Sequence, residues 1–200
     1  MIAPMPTPLP TAAWTDAQLL DLFAGVVARS LRIDAARVTP DATFTALGAE
    51  SLDLVEITLD VELAFGVLWP ERHVLEIARE ELGRATVSDE GRITALGMAL
   101  LRDRLPVAAC ADLPAETTIA GATAAFLRVD VWVHLIRVLL AAAPRCCPTC
   151  GAALVLGSPA RVACRPCGRE FDLLPGDEVN RAWIRQWREG RAGTASASPE

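Results

Sequence analysis

Lysine is absent from this 200-residue chain, so all nineteen of its basic residues are arginine. The bias points to a GC-rich coding sequence rather than to mechanism, and the base composition of the gene checks it. Histidine is scarce as well: His73 and His134 are the only two, and neither has the Ser, Cys or Asp neighbours of a nucleophilic triad. No Gly-rich phosphate loop or dinucleotide fingerprint occurs, so the chain is expected not to be a catalyst itself. Long apolar runs are also missing. The most apolar stretch, VDVWVHLIRVLLAAA, is broken by His134 and Arg137 and falls short of the roughly 20 residues a bilayer crossing needs, so no membrane anchor is expected. The N-terminal MIAPMPTPLPTAAW has no basic segment leading into an apolar one, and its prolines oppose a signal-type helix. Residues 1–13 therefore read as a disordered leader and the cytoplasm as the expected address. An excess of basic charge is lacking too: a net charge of −6 and a pI near 5.0 make nucleic acid or an anionic membrane an unexpected partner for the whole chain.

With 52% apolar and only 22% charged residues, the chain can bury a core, and its periodicities predict a mainly α fold. Over 15–32, Leu19, Leu22, Phe23, Val26, Val27 and Leu31 recur at three- and four-residue intervals behind Thr15 or Asp16, either of which suits an N-cap. Residues 33–50 contain Pro40 and Gly48 and read as a long ordered loop with Val38, Phe44 and Leu47 turned inward. A second helix is expected over 51–65, stopped by Gly66, and a third within 71–82, stopped by Gly83. A short hairpin around 89–91, a helix over 94–104, mixed loop and helix over 106–125, and a strong helix over 129–143 follow. Trp132, Leu135, Ile136 and Leu139 share one face of that last helix, and Pro144 ends it. The tail over 190–200 lacks apolar residues and reads as disordered.

The stretch LGAESLDLVEI, 47–57, carries the functional question. On a helical wheel Asp53, Glu56 and Asp60 fall within an arc of about 60°. Leu52, Val55, Leu59 and Leu63 form one apolar stripe, and Leu54, Ile57 and Val61 another. One stripe can face the home core, leaving the other, beside the acids, for a partner or a cargo. Between Arg37 and Arg72 there are seven acidic residues and no basic one, a field suited to basic partner proteins. Ser51 is either a plain N-cap or an attachment point. As an N-cap it would want Glu or Gln three residues on to complete a capping box, and that position is Leu54.

The run DATFTALGAESLDLVEI resembles the signature of the acyl carrier protein family, in which an Asp-x-x-Phe loop leads through Leu-Gly-Ala-Asp-Ser-Leu into the second helix of a four-helix bundle. The likeness covers 15 to about 70. It implies that Ser51 is the attachment site for 4'-phosphopantetheine, installed by a phosphopantetheinyl transferase. The arm's thiol then holds acyl groups as thioesters for acyl-loading and acyl-processing enzymes of a bacterial fatty-acid, polyketide or related pathway. Glu50, Leu52, Asp53, Glu56, Leu59 and Asp60 become the expected partner face. Glu50 departs from the family's usual aspartate, keeping the charge one methylene further out. About 60 residues also intervene before FLRVDVWVHLIRV, which resembles the family's last helix, so either the bundle closes near 73–82 and a separate helical segment follows, or an insertion divides it. The acyl-carrier-like helical domain is thus expected over 14–143, with a helical insertion or extension at about 71–126.

Four cysteines make two knuckles, CPTCG from Cys147 and CRPCG from Cys164, with thirteen residues between Cys150 and Cys164. Each Cys-x-x-Cys puts two thiolates on one tight turn, and short β-prone runs join the pairs, so a zinc ribbon is expected over 144–176. Cys147, Cys150, Cys164 and Cys167 would be the ligands of a closed, structural Zn2+ site, with iron as the competing metal. Cys110 and Cys146 are expected to be ordinary small residues. A short helix over 177–189 should follow, with Trp183 and Trp187 on one face, packed on the ribbon or on a partner. Residues 145–191 hold eight arginines against five acids, which keeps open an alternative in which the ribbon works as an unmodified adaptor or nucleic-acid binder beside a relic bundle.

Overall fold

The computed structural model describes residues 14–111, 113, 114, 116–156 and 161–195. The expected leader, 1–13, and the last five residues of the tail lie outside them. Helix α1 (Asp16–Leu31) starts at Thr15, whose hydroxyl accepts from the Gln18 N–H while Gln18 Oε1 accepts from the Thr15 N–H, a reciprocal capping box. A 3-10 turn (Ala35–Arg37) opens the loop to α2 (Ser51–Phe65). Gly66, left-handed at φ +63°, ends α2. Then come α3 (Val74–Leu82), α4 (Arg84–Val87), the hairpin β1 (Ser88–Asp89) and β2 (Arg92–Ile93), and α5 (Ala95–Arg104). The next elements are α6 (Val107–Ala111), α7 (Ile119–Ala125) and α8 (Val129–Ala142). Strands β3 (Val155–Leu156), β4 (Arg161–Ala163) and β5 (Glu170–Asp172) form an antiparallel sheet in the order β3-β4-β5, and α9 (Gly176–Ala195) follows. Among the described residues no helix is long and apolar enough to cross a membrane. The fold is mainly α, with an acyl-carrier-like helical region and a small cysteine-bearing β ribbon.

Two apolar cores share α8 as a wall. In the first, Phe23 and Val27 of α1, Phe44 of the loop, and Ile57 and Val61 of α2 close on Trp132 and Ile136. In the second, Leu75 and Ile77 of α3 and Leu100 and Leu101 of α5 close on Val131 and Leu135. Leu135 thus leaves the face it was expected to share with Trp132, Ile136 and Leu139, because α8 is buried on two sides rather than one. A third, smaller core lies in the ribbon around Leu154, Val162 and Leu173.

Helix α9 corrects the expected end of the chain. It runs 20 residues, Gly176–Ala195, so the described part of the stretch from 190, which its composition marked as disordered, is helical as far as 195. Its apolar residues lie earlier: Val179 enters the first core and Ile184 the second. Trp183 and Trp187 pack on the second core rather than on the ribbon. Trp183 is covered by the buried Arg104 guanidinium, 4.8 Å above its ring, which also donates to Asn180 Oδ1. Burial pushes Arg104 down to about 10.

Ion pairs fasten α9 to α3. Glu81 accepts from Arg185 Nε at 2.9 Å and from Arg181, and the two guanidiniums, Arg185 foremost, hold its carboxyl down at about 2 against an ordinary 4.5. A carboxyl whose folded-state pKa lies below its unfolded value stabilises fully above the unfolded value, and that contribution is lost as the pH falls through the folded one. The variant Glu81→Gln should therefore melt below the parent at neutral pH, and the gap should close as the pH is lowered from about 4.5 to about 2, read by thermal unfolding.

Candidate functional site

The loop before α2 is fixed by the start of α8. The Phe44 N–H donates to Leu127 O at 2.9 Å, Val129 N to Ala42 O at 3.0 Å and Asp130 N to Pro40 O at 2.9 Å. Thr43 and Arg128 pair across an isolated antiparallel bridge, and Arg128 grips Asp130 with two nitrogens, at 3.0 and 2.8 Å. Between these backbone ties Phe44 is driven into the core, its ring centroid 4.6 Å from Trp132 and 6.3 Å from Phe23. The loop then folds back, with Ala49 N donating to Phe44 O at 2.9 Å, and turns at Gly48, whose φ of +88° favours glycine although space beside it is open. The chain emerges from this turn directly into α2.

Ser51 is the first residue of α2, and it is exposed. It is not the N-cap. That position belongs to Glu50, with Asp53 three residues on accepting from the Glu50 N–H at 2.7 Å. The signal was present in the sequence one residue earlier than expected, because a capping box can be closed by Asp as well as by Glu or Gln. With Asp53 serving the helix start, Ser51 Oγ makes no hydrogen bond within the described residues and points its chemistry outward. The unpaired N–H groups of the first turn and the helix dipole favour an anion there.

The two stripes of α2 separate as expected. Ile57, Val61 and Phe65 are buried, while Leu52, Val55, Leu59 and Leu63 are 83%, 58%, 55% and 53% exposed. That exposed row begins beside Ser51 and runs the length of the helix. Glu50 and Glu56 are exposed beside it. The half-buried Asp53 and Asp60 are each engaged within the chain, Asp53 at the helix start and Asp60 accepting from Ser30 Oγ of α1 at 2.9 Å. Their charge belongs to the face, but their oxygens are partly committed to the fold.

In the ribbon, the sulfurs of Cys147, Cys150, Cys164 and Cys167 lie within 4.8 Å of one another. Cys147 and Cys167 are 3.6 Å apart and Cys150 and Cys164 3.3 Å, close to the edge of about 3.8 Å that four sulfurs at 2.3 Å around one tetrahedral ion would have. Each knuckle closes in the same way, Gly151 N donating to Cys147 O and Gly168 N to Cys164 O, both at 2.8 Å. Both glycines are left-handed. This donor set fits a tetrahedral thiolate-bound metal, and Cys146, exposed beside it, is not one of the four. Cys110 is buried, its thiol donating to Leu101 O and pushed up by desolvation. His134 and His73 are both lowered by burial, and His73 stacks on Phe126, 5.1 Å away.

Because the loop, α1 and α8 all close on one ring, Phe44→Ala should cost about 3–5 kcal/mol of stability. Denaturant unfolding of variant and parent gives the value.

A family model described as "Phosphopantetheine attachment site" matches residues 21–79, from within α1 into α3. The acyl carrier protein of Helicobacter pylori strain G27 is 43% identical over 60 residues, covering 30% of this chain and 77% of that protein. The chloroplastic acyl carrier protein 2 of Arabidopsis thaliana is 33% identical over 86 residues, covering 42% of this chain and 63% of that protein. No solved structure matches the chain significantly. On the strength of that match, and of the loop and helix that carry it, the chain belongs to the acyl carrier protein family.

Proposed function

We propose that the protein carries acyl intermediates as thioesters on a 4'-phosphopantetheine arm at Ser51, and acts as a carrier rather than a catalyst. The observation that carries this reading is Ser51 itself: exposed, its hydroxyl without a hydrogen bond among the described residues, and set at the start of α2 by a loop clamped to α8, inside the stretch that matches the phosphopantetheine model. When attached, the arm supplies the thiol that forms the thioester. The protein's own share is to hold Ser51 at a rigid helix start, to keep the approach past Gly48 and Ala49 open, and to accommodate a phosphodiester with the first-turn N–H groups. Its partners are a phosphopantetheinyl transferase and the enzymes that load and process the acyl group. They meet Leu52, Glu56 and Leu59, with Glu50, Asp53 and Asp60 adding negative charge.

The bundle in this reading consists of α1, α2 and α8, with a helical insertion or extension at about 71–126 that holds α3 to α7. The buried residues of α3, Val74, Leu75, Ile77 and Ala78, lie in the second core with buried residues of α4 to α7, which supports that division, while the family match runs on to residue 79.

The four cysteines are assigned to a structural zinc. Four protein thiolates leave no open position, so the ion would fold and stiffen the ribbon rather than act on a substrate, and the ribbon would serve docking.

Intact mass after co-expression with a broad-specificity phosphopantetheinyl transferase should rise by one phosphopantetheine group in the parent and not in Ser51→Ala. An unchanged parent mass would sink the carrier assignment. Native mass spectrometry should also find one zinc per chain, lost on chelation and lost in Cys164→Ala; a chain isolated metal-free that fails to take up added Zn2+ or Co2+ would overturn the metal assignment.

A further inference from the structure

Only residues 173–175 separate the last ribbon strand from α9. Leu173 is buried in the ribbon core with Leu154, Val162, Cys147 and Cys164, and Ala143, where α8 ends, is buried there too. On its other side this connection meets the carrier. Leu173, Leu174 and Val179 surround a void of about 10 Å³ together with Val67, Leu68 and Leu139. The first residue of α9, Gly176, presses on the chain between α2 and α3 so closely that a Cβ there would lie 2.4 Å from Pro70 N and 2.8 Å from Leu68 O. Next to it the Asp177 carboxylate accepts from the Arg72 N–H at 3.2 Å and from Arg72 Nε at 2.9 Å. Val179 is buried in the first core. The connection 66–73, which follows the Ser51 helix directly, is thus held from outside by the first turn of α9.

That turn depends on the ribbon. Three strands of two or three residues around a handful of buried side chains bury too little apolar surface to stay folded without a metal. Beyond its first turn α9 has its own anchors, Ile184 in the second core and Arg181 and Arg185 on Glu81. Loss of the metal should therefore free the start of α9 without detaching the whole helix.

We propose that metal bound at the four cysteines sets the order of the 66–73 connection through residues 173–179, so that the ribbon acts as a metal-dependent brace on the carrier helix. This rests on the metal assignment above and extends it from the ribbon to the carrier. The brace is one of position only: Gly176 fits against Pro70, Asp177 fixes Arg72, and both are placed by Leu173.

The test is hydrogen exchange on the full chain in reducing buffer, with zinc bound and after chelation, with zinc content measured in both samples. Removing zinc should speed exchange over 66–73 and at the start of α9 by at least about tenfold, while the middle of α1 is unchanged. Asp177→Ala, with zinc retained and the ribbon still protected, should speed exchange over 66–73 alone. If zinc leaves and the ribbon's amides exchange freely while 66–73 stays protected, the brace is refuted. If exchange rises equally in α1, the metal serves only global stability and the brace is likewise refuted. A chain that never binds zinc overturns the metal assignment, and the brace with it.

Discussion

The clamp between the loop before α2 and the beginning of α8 is the constraint on which the rest of the structure depends. These segments lie more than 80 residues apart in the chain, yet Phe44, Ala42 and Pro40 are tied by backbone hydrogen bonds to Leu127, Val129 and Asp130. A loop of this length would ordinarily sample many conformations, and ordering it costs roughly 1–2 kcal/mol per residue. Phe44 offsets much of that cost by packing on Trp132 and Phe23 at once. The gain is spatial precision: the turn at Gly48, the helix start at Glu50 and the free hydroxyl of Ser51 all follow from where Phe44 is pinned. Trp132 is itself braced by Trp69, 4.5 Å away, so the chain leaving α2 packs on the same ring that fixes the chain entering it.

Helix α8 explains how two apolar cores can share one wall. Val129, Trp132, Val133 and Ile136 close the first core, while Val131 and Leu135 on another side close the second. A helix buried on one side only would have left α3 to α7 to find their own partner. Here they finish against a wall that the bundle already requires. The arrangement also gives α9 its path, since a helix lying along the join can place Val179 in one core and Ile184 in the other. The buried Arg104 sits at that join, hydrogen-bonded to Asn180 and stacked on Trp183, which ties α5 to α9 through contacts that no purely apolar seam would orient.

Most of the carrier half was legible in the sequence because its signals are local. The apolar period of α1, the Gly66 stop and the two stripes of α2 each depend on residues within one or two turns, and Leu52, Val55, Leu59 and Leu63 emerge on the open side as their spacing requires. The cysteine knuckles are equally local. What could not be read is what depends on distance. Nothing within 129–143 says that Leu135 turns away from Trp132, because both are apolar and only the packing of α3 and α5 separates them. The length of α9 was hidden for a different reason. Its last turns carry no large apolar residue to mark them, and the helix continues where composition alone suggests disorder.

The charge distribution shows why the α2 face stays available. Every ion pair of the described residues that involves α3 or α9 uses an arginine from 72 onward, with acids such as Glu80, Glu81 and Asp177. Among the described residues Arg72, Arg181 and Arg185 form no ion pair with an acid of α2, and α2 has no basic residue of its own. Asp53 and Asp60 each accept from a neutral donor, an amide N–H and a hydroxyl, rather than from an arginine. The helix therefore keeps a negative field over an exposed apolar row. Such a face costs self-repulsion and exposed hydrocarbon, and it gains nothing from the chain's own fold. In the carrier role proposed above, a partner surface that is both basic and apolar would recover these costs, and the sparing use of arginine near α2 would keep the face open to it.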